Sequence, residues 1–143
     1  MHILYADNDE DERLFFADAF AALSKNIDLK FVSNGNELIK YLNDPNNILP
    51  TIIFLDLKMP SKDGIECLTE IRQSEEFKHL TVAIYSTSNN SEDIHKCFVL
   101  GANVYITKPN DFEMLKKVLH KVLSVNWQYH MSDLSIETFF LTL

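Results

Sequence analysis

Thr51-Ile52-Ile53-Phe54-Leu55-Asp56 is the most apolar short run in the chain, and Leu57-Lys58-Met59-Pro60 follows it at once. β-Branched and aromatic residues without alternation read as a fully buried strand. The run ends in a carboxylate beside a proline-marked loop. In a parallel sheet, Asp56 would therefore stand at the rim of the strands' carboxyl ends, where ligands and chemistry gather in open α/β folds.

Outward from this run, apolar stretches and helical patterns alternate. Residues 3–6 form a short strand that leads into the acidic turn Asp7-Asn8-Asp9-Glu10, and residues 11–23 carry Leu14, Phe15, Ala19, Ala22 and Leu23 at helical spacing. Residues 29–32 make a second strand, and Ser33-Asn34-Gly35 opens a helix that stops at Asn43-Asp44-Pro45. After the 51–55 strand come the loop 58–64 and a helix over 65–74. Residues 81–85 form a fourth strand ending in Ser86-Thr87-Ser88, and Ser91-Glu92-Asp93 caps a helix that Gly101 closes. A fifth strand over 104–107 precedes Lys108-Pro109, and residues 111–123 form the last helix. Five strands alternating with five helices call for a parallel sheet with helices on both faces. The expected class is therefore α/β, a doubly wound, flavodoxin-like (βα)5 fold. Its five-stranded parallel sheet takes the order 2-1-3-4-5, with its switch point between strands 1 and 3.

With 143 residues the chain suits one domain, able to bury roughly 70% of its unfolded surface. Thirteen basic against 21 acidic residues give a net charge of −8, which argues against nucleic acid or an anionic membrane as partner. Cys67 and Cys97 fall on different helices in no metal-ligand spacing and read as reduced thiols. The first residues, Met1-His2-Ile3-Leu4-Tyr5-Ala6-Asp7, lack the basic region of a signal peptide, and no apolar stretch approaches the roughly 20 residues of a membrane span. A soluble, cytoplasmic protein without membrane insertion is expected.

The order 2-1-3-4-5 brings Asp7, Asp56, Ser86 and Lys108, from the ends of strands 1, 3, 4 and 5, toward one mouth. Each has an ordinary reading alone. The 7–9 segment could be a solvated turn offsetting a helix dipole, Asp56 a turn cap, Ser86 a loop residue and Lys108 a surface charge. Their joint occurrence at four different strand ends favours a site. Carboxylates around a mouth offer oxygen ligands to a hard divalent cation, Mg²⁺ where phosphate is also bound. A carboxylate can attack phosphorus to give an acyl phosphate. Lys108 would supply a compact positive charge and Ser86 a hydroxyl donor for phosphoryl oxygens. Pro109 would set the lysine's backbone, with a cis Lys108–Pro109 bond as one hypothesis.

These residues resemble the response-regulator receiver domains of two-component phosphorelays. The resemblance spans about residues 2–123 and rests on four segments: Ala6-Asp7-Asn8; Phe54-Leu55-Asp56-Leu57-Lys58-Met59-Pro60 with Asp63-Gly64; Tyr85-Ser86-Thr87; and Gly101-Ala102-Asn103-Val104-Tyr105-Ile106-Thr107-Lys108-Pro109. It implies that Asp56 accepts phosphate from a sensor histidine kinase or histidine phosphotransfer protein. Asp7, Asn8, Asp56 and the backbone carbonyl of Lys58 would hold Mg²⁺, while Ser86 and Lys108 contact the phosphoryl group. Ser86 and Tyr105 would act as the switch pair, although Tyr105 also reads as a half-exposed strand tyrosine. The expected protein is a signalling switch, not a metabolic enzyme, that works through protein–protein contacts and is a possible homodimer.

Asn8 departs from the family, which usually places a second acid there. Its side-chain oxygen can still bind a cation, but the lost charge should lower Mg²⁺ affinity. A degenerate receiver, serving as a phosphorylation-independent binding module, is the alternative that Asn8 favours. A phosphohydrolase resembling haloacid dehalogenases would need an acid two residues after the nucleophile, where Lys58 stands. Residues 1–124 are assigned to the receiver domain. Residues 125–143 form a C-terminal extension too short for an output domain, which points to a stand-alone receiver. With Trp127, Tyr129, Ile136, Phe139, Phe140, Leu141 and Leu143, the extension is too apolar for a solvated tail. It should pack on the domain or form a partner surface.

Overall fold

The structure, a computed structural model, describes residues 1–23, 26–125 and 139–141. In chain order the elements are β1 (His2–Ala6), α1 (Glu10–Leu23), β2 (Asp28–Val32), α2 (Gly35–Asn43), β3 (Ile52–Leu55), α3 (Gly64–Gln73), β4 (Thr81–Ser86), α4 (Ser91–Val99), β5 (Val104–Thr107), α5 (Phe112–Ser124) and β6 (Phe140–Leu141). The first five strands take the expected order 2-1-3-4-5, every neighbouring pair parallel.

The strands are straightforward consequences of composition. Every residue of β3 and β4 is buried, because helices cover both faces of a parallel sheet. On one face Leu4, Ile53, Leu55 and Ile84 pack with Leu38, Leu68, Ile71 and Cys97 from α2, α3 and α4. On the other, Ile3, Tyr5, Phe54 and Tyr85 pack with Phe16 and Phe20 of α1 and Val118 and Leu119 of α5. At the edge, β2 buries only Val32 and shows charged residues to solvent, which discourages further pairing.

Helix starts are capped by side chains. Asn34 accepts from the Glu37 amide, and Asp63 and Glu66 form a reciprocal capping box at α3. At α4 the cap is Asn90, one residue before the expected Ser91. Asn90 is extended and its side chain accepts from the Glu92 amide, so Ser91 is already helical. Gly101 follows the last turn at φ 94°, in the left-handed region that glycine adopts freely.

One expectation is extended and one corrected. The five expected strands stand, and a sixth, β6, pairs in parallel outside β5, with Tyr105 opposite Phe140 and Ile106 opposite Leu141. The driving force is visible one residue earlier. Phe139 is fully buried, its ring 5.4 Å from that of Phe98 on α4 and 6.2 Å from that of Tyr105. Of the apolar residues expected to pack in the extension, Trp127, Tyr129, Ile136 and Leu143 lie outside the described residues. The Lys108–Pro109 bond is trans, the isomer an X–Pro bond ordinarily prefers. The Lys108 amide still donates to the Ser86 carbonyl at 2.8 Å.

Candidate functional site

Parallel register brings the strand ends to one level. Asp7 follows β1 and Asp56 follows β3, and the Asp56 amide donates to the Ala6 carbonyl at 3.1 Å. Lys108 follows β5, and its ammonium lies 2.7 Å from Asp7 Oδ2 and 3.5 Å from Asp56 Oδ2. The expected meeting of Asp7, Asp56 and Lys108 is therefore a feature of the molecule. All three are inside it, with Asp7 1% and Asp56 7% exposed.

Burial acts on the two carboxylates with opposite outcomes. For Asp56 it is the largest influence and, with the charge of Asp7 added, pushes the pKa up to about 6. The Lys108 charge and backbone N–H donors at Leu57 and Lys58 pull the other way. For Asp7, burial again presses upward, but donors overcome it and hold the group below its ordinary value. Those donors are the Lys108 ammonium, the Tyr5 hydroxyl (2.5 Å to Oδ2) and the Asp9 amide (2.9 Å to Oδ1). Lys108 is pressed down by burial yet lifted above its ordinary value by its bond to Asp7 and the charges of Asp56 and Asp7. Asp7 is thus a fixed anion, whereas Asp56 has no full-strength partner.

The loop after Asp56 is shaped by close approach. A Cβ on Gly64 would come within 2.3 Å of the Asp56 carbonyl oxygen, so the turn closes only around glycine. The Gly64 amide donates to the Leu57 carbonyl at 2.9 Å. Lys58 is exposed on this loop and Asn8 is exposed beside Asp7. Asp9 is committed elsewhere: its Oδ1 accepts from the Asp11 and Glu12 amides and caps α1.

Ser86 ends β4 and is buried, with its Oγ accepting from the Ser88 amide at 3.2 Å. It joins the site through the sheet, not through a bond to Asp56. Tyr105 is fully buried, contrary to the half-exposed alternative, because Phe139 and Phe140 cover it. Its hydroxyl donates to the Ser88 carbonyl at 2.8 Å. Burial pushes that hydroxyl's pKa up, against hydrogen bonding that pulls it down.

Two contributors escaped the sequence reading. Tyr5 lies two residues before Asp7, hence on the same face of β1, and period-two spacing could have flagged it. Arg13 donates to the Asp7 carbonyl at 2.6 Å from one turn into α1, where it looks like an ordinary surface charge. Two carboxylates face one ammonium, and the donors are all oxygen, which suits a hard cation. Among the described residues no three His, Cys, Asp or Glu side chains gather for a metal, so further ligands would have to come from Asn8, the backbone or water. No helix among the described residues is long and apolar enough to cross a membrane.

Comparison with known proteins gives the family and the fold. Residues 3–120 match the family described as the response regulator receiver domain. The response regulator Rcp1 of Synechocystis is 31% identical over 122 residues, 85% of this chain and 75% of that protein. The crystal structure of its Mn²⁺-bound form superposes with a TM-score of 0.80 at 26% identity, over 87% of this chain and 95% of that one. A phosphorylated cyanobacterial phytochrome response regulator, RcpA, gives a TM-score of 0.78 at 30% identity, over 85% and 89% of the two chains.

Proposed function

Because this chain belongs to the response regulator receiver domain family, we propose that it is a phosphoacceptor switch of a two-component phosphorelay, with Asp56 as acceptor. The observation that carries the reading is Asp56 at the mouth, 3.5 Å from the Lys108 ammonium and less firmly paired than Asp7. With its pKa near 6, the carboxylate is mostly ionised at neutral pH and free to attack. An Asp56 oxygen bonds to phosphorus as the donor's phosphorus–nitrogen bond breaks, and the electron pair returns to the imidazole of the histidine. Lys108 then balances charge on a phosphoryl oxygen, and the Ser86 hydroxyl donates to another. Movement of Ser86 would release its neighbour Tyr105 and alter the face formed with α4.

Asp7, Asp56, the Asn8 side-chain oxygen and the Lys58 backbone carbonyl would hold Mg²⁺. When bound, the ion offsets repulsion between Asp56 and the incoming phosphoryl group. The donor would be a cytoplasmic sensor histidine kinase or phosphotransfer protein, and the output a protein–protein contact, with no metabolic turnover.

Asn8 favours the second reading, a receiver that binds partners without phosphorylation. Incubation with phosphoramidate and Mg²⁺ followed by intact-mass measurement separates the two. The native chain should gain one phosphoryl group and Asp56→Asn none. A native chain that gains nothing leaves the binding-module reading.

A further inference from the structure

We propose that Tyr5 is a positioning residue for the acidic site, its hydroxyl orienting the Asp7 carboxylate for a divalent cation. The proposal rests on the reading of the site as a cation-assisted phosphoacceptor and extends it to a residue outside the family's site pattern quoted above. The Tyr5 hydroxyl donates to Asp7 Oδ2 at 2.5 Å, the oxygen that also accepts from Lys108 at 2.7 Å, while Oδ1 accepts from the Asp9 amide at 2.9 Å. Three donors on two oxygens fix both the plane and the rotation of the carboxylate.

The donor itself is enclosed by packing. Tyr5 is fully buried, and its ring centroid lies 4.1 Å from that of Phe16, 5.6 Å from Tyr85 and 6.1 Å from Phe31. A purely packing role would be met by phenylalanine, without burying a hydroxyl. The bond to Asp7 accounts for the hydroxyl.

The composition of this site raises the value of such support. Asn8 contributes no charge, so Asp7 and Asp56 are the acidic side chains available to a cation. A ligand carboxylate held by an outer hydrogen bond needs less reordering when the ion arrives. Removal of such a partner typically costs 10–100-fold in metal affinity.

The test compares the full native chain with Tyr5→Phe, which keeps the ring and deletes the bond. Mn²⁺ binding is followed by the paramagnetic resonance of the free ion. Phosphorylation by phosphoramidate is followed at graded Mg²⁺. Tyr5→Phe should bind Mn²⁺ about 10-fold more weakly and raise the half-saturating Mg²⁺ by a similar factor, with the rate at saturating Mg²⁺ retained. Near-ultraviolet circular dichroism without metal should match the native chain. An Mn²⁺ affinity within about twofold of native overturns the role of Tyr5. So does a lower saturating rate with unchanged half-saturation. A native chain that binds no Mn²⁺ instead sinks the cation reading itself, and the proposal with it.

Discussion

Asp7 and Asp56 are the same side chain in the same mouth, yet their environments drive them apart. Asp7 collects three donors and stays anionic; Asp56 shares the lysine at longer range and repels its neighbour. The consequence for stability has a definite sign. Asp56 ionises near pH 6 folded and near an ordinary carboxylate value of about 3.9 unfolded, so the folded state holds its proton more tightly. Its contribution is complete below about pH 4 and is lost as the pH rises through 6. The Asp7 contribution runs the other way, present above the ordinary carboxylate range and lost as pH falls below it. Between about pH 4 and 7, the difference between the native chain and Asp56→Asn therefore isolates Asp56. The variant should be more stable at pH 7.5 by on the order of 2 kcal/mol, the gap closing near pH 4. Thermal unfolding midpoints of the two that run parallel across this window would refute the assignment. At this scale the sequence was informative where residues mark strand ends, as with Asp7, Asp56, Ser86 and Lys108. Tyr5 was hidden because an aromatic residue on a buried strand looks like core.

Among the elements, the five alternating strand–helix units were legible because long periodic segments and their caps carry their own signal. β6 was not. A two-residue strand is too short for any periodicity, and only the apolar character of the extension announced that it would be buried. Phe139 carries the attachment, packed between Phe98 and Tyr105, with β6 completing the outer edge of β5. Phe→Ala in a closed core costs about 3–5 kcal/mol. If the variant's segment leaves the sheet, the loss is capped at the free energy of its docking. Phe139→Ala should cost about 1–3 kcal/mol and raise amide exchange along β5 by exposing its outer edge. Global unfolding in urea reads the first and hydrogen-exchange mass spectrometry the second. Native-like protection of β5 in this variant would show that the extension is incidental to that edge.

Across the whole molecule, the chemistry sits at the carboxyl ends of the strands and a structural staple at the amino ends of β4 and β5. Arg72, at the end of α3, donates to the carbonyls of Lys78 (3.0 Å), Leu80 (2.7 Å) and Gly101 (2.8 Å) and to Asn103 Oδ1 (2.9 Å). Asn103 Oδ1 in turn accepts from the Val82 amide at 2.8 Å, so one guanidinium ties α3 to the starts of β4 and β5. The place of Arg72 in the last turn of α3 also suits a cation beside a helix C-terminus. The acceptors that hold it come from segments up to 31 residues away, and no local pattern encodes them. Arg72→Ala removes the donor from the part-buried Leu80 and Gly101 carbonyls, whereas Asn103 Oδ1 keeps the Val82 amide and the exposed Lys78 carbonyl turns to water; a buried acceptor left unpaired costs about 1–3 kcal/mol. The variant should lose about 2 kcal/mol or more in urea, with an unchanged dependence on denaturant, since the same surface is exposed on unfolding. Phosphoryl uptake at Asp56 per folded molecule should stay at the native level, because the strands' carboxyl ends are set by their own register and by the Asp7–Lys108 pair. If uptake fell while the chain remained folded, the two ends of the strands would be coupled through the sheet, and the site could no longer be treated as independent of its foundation.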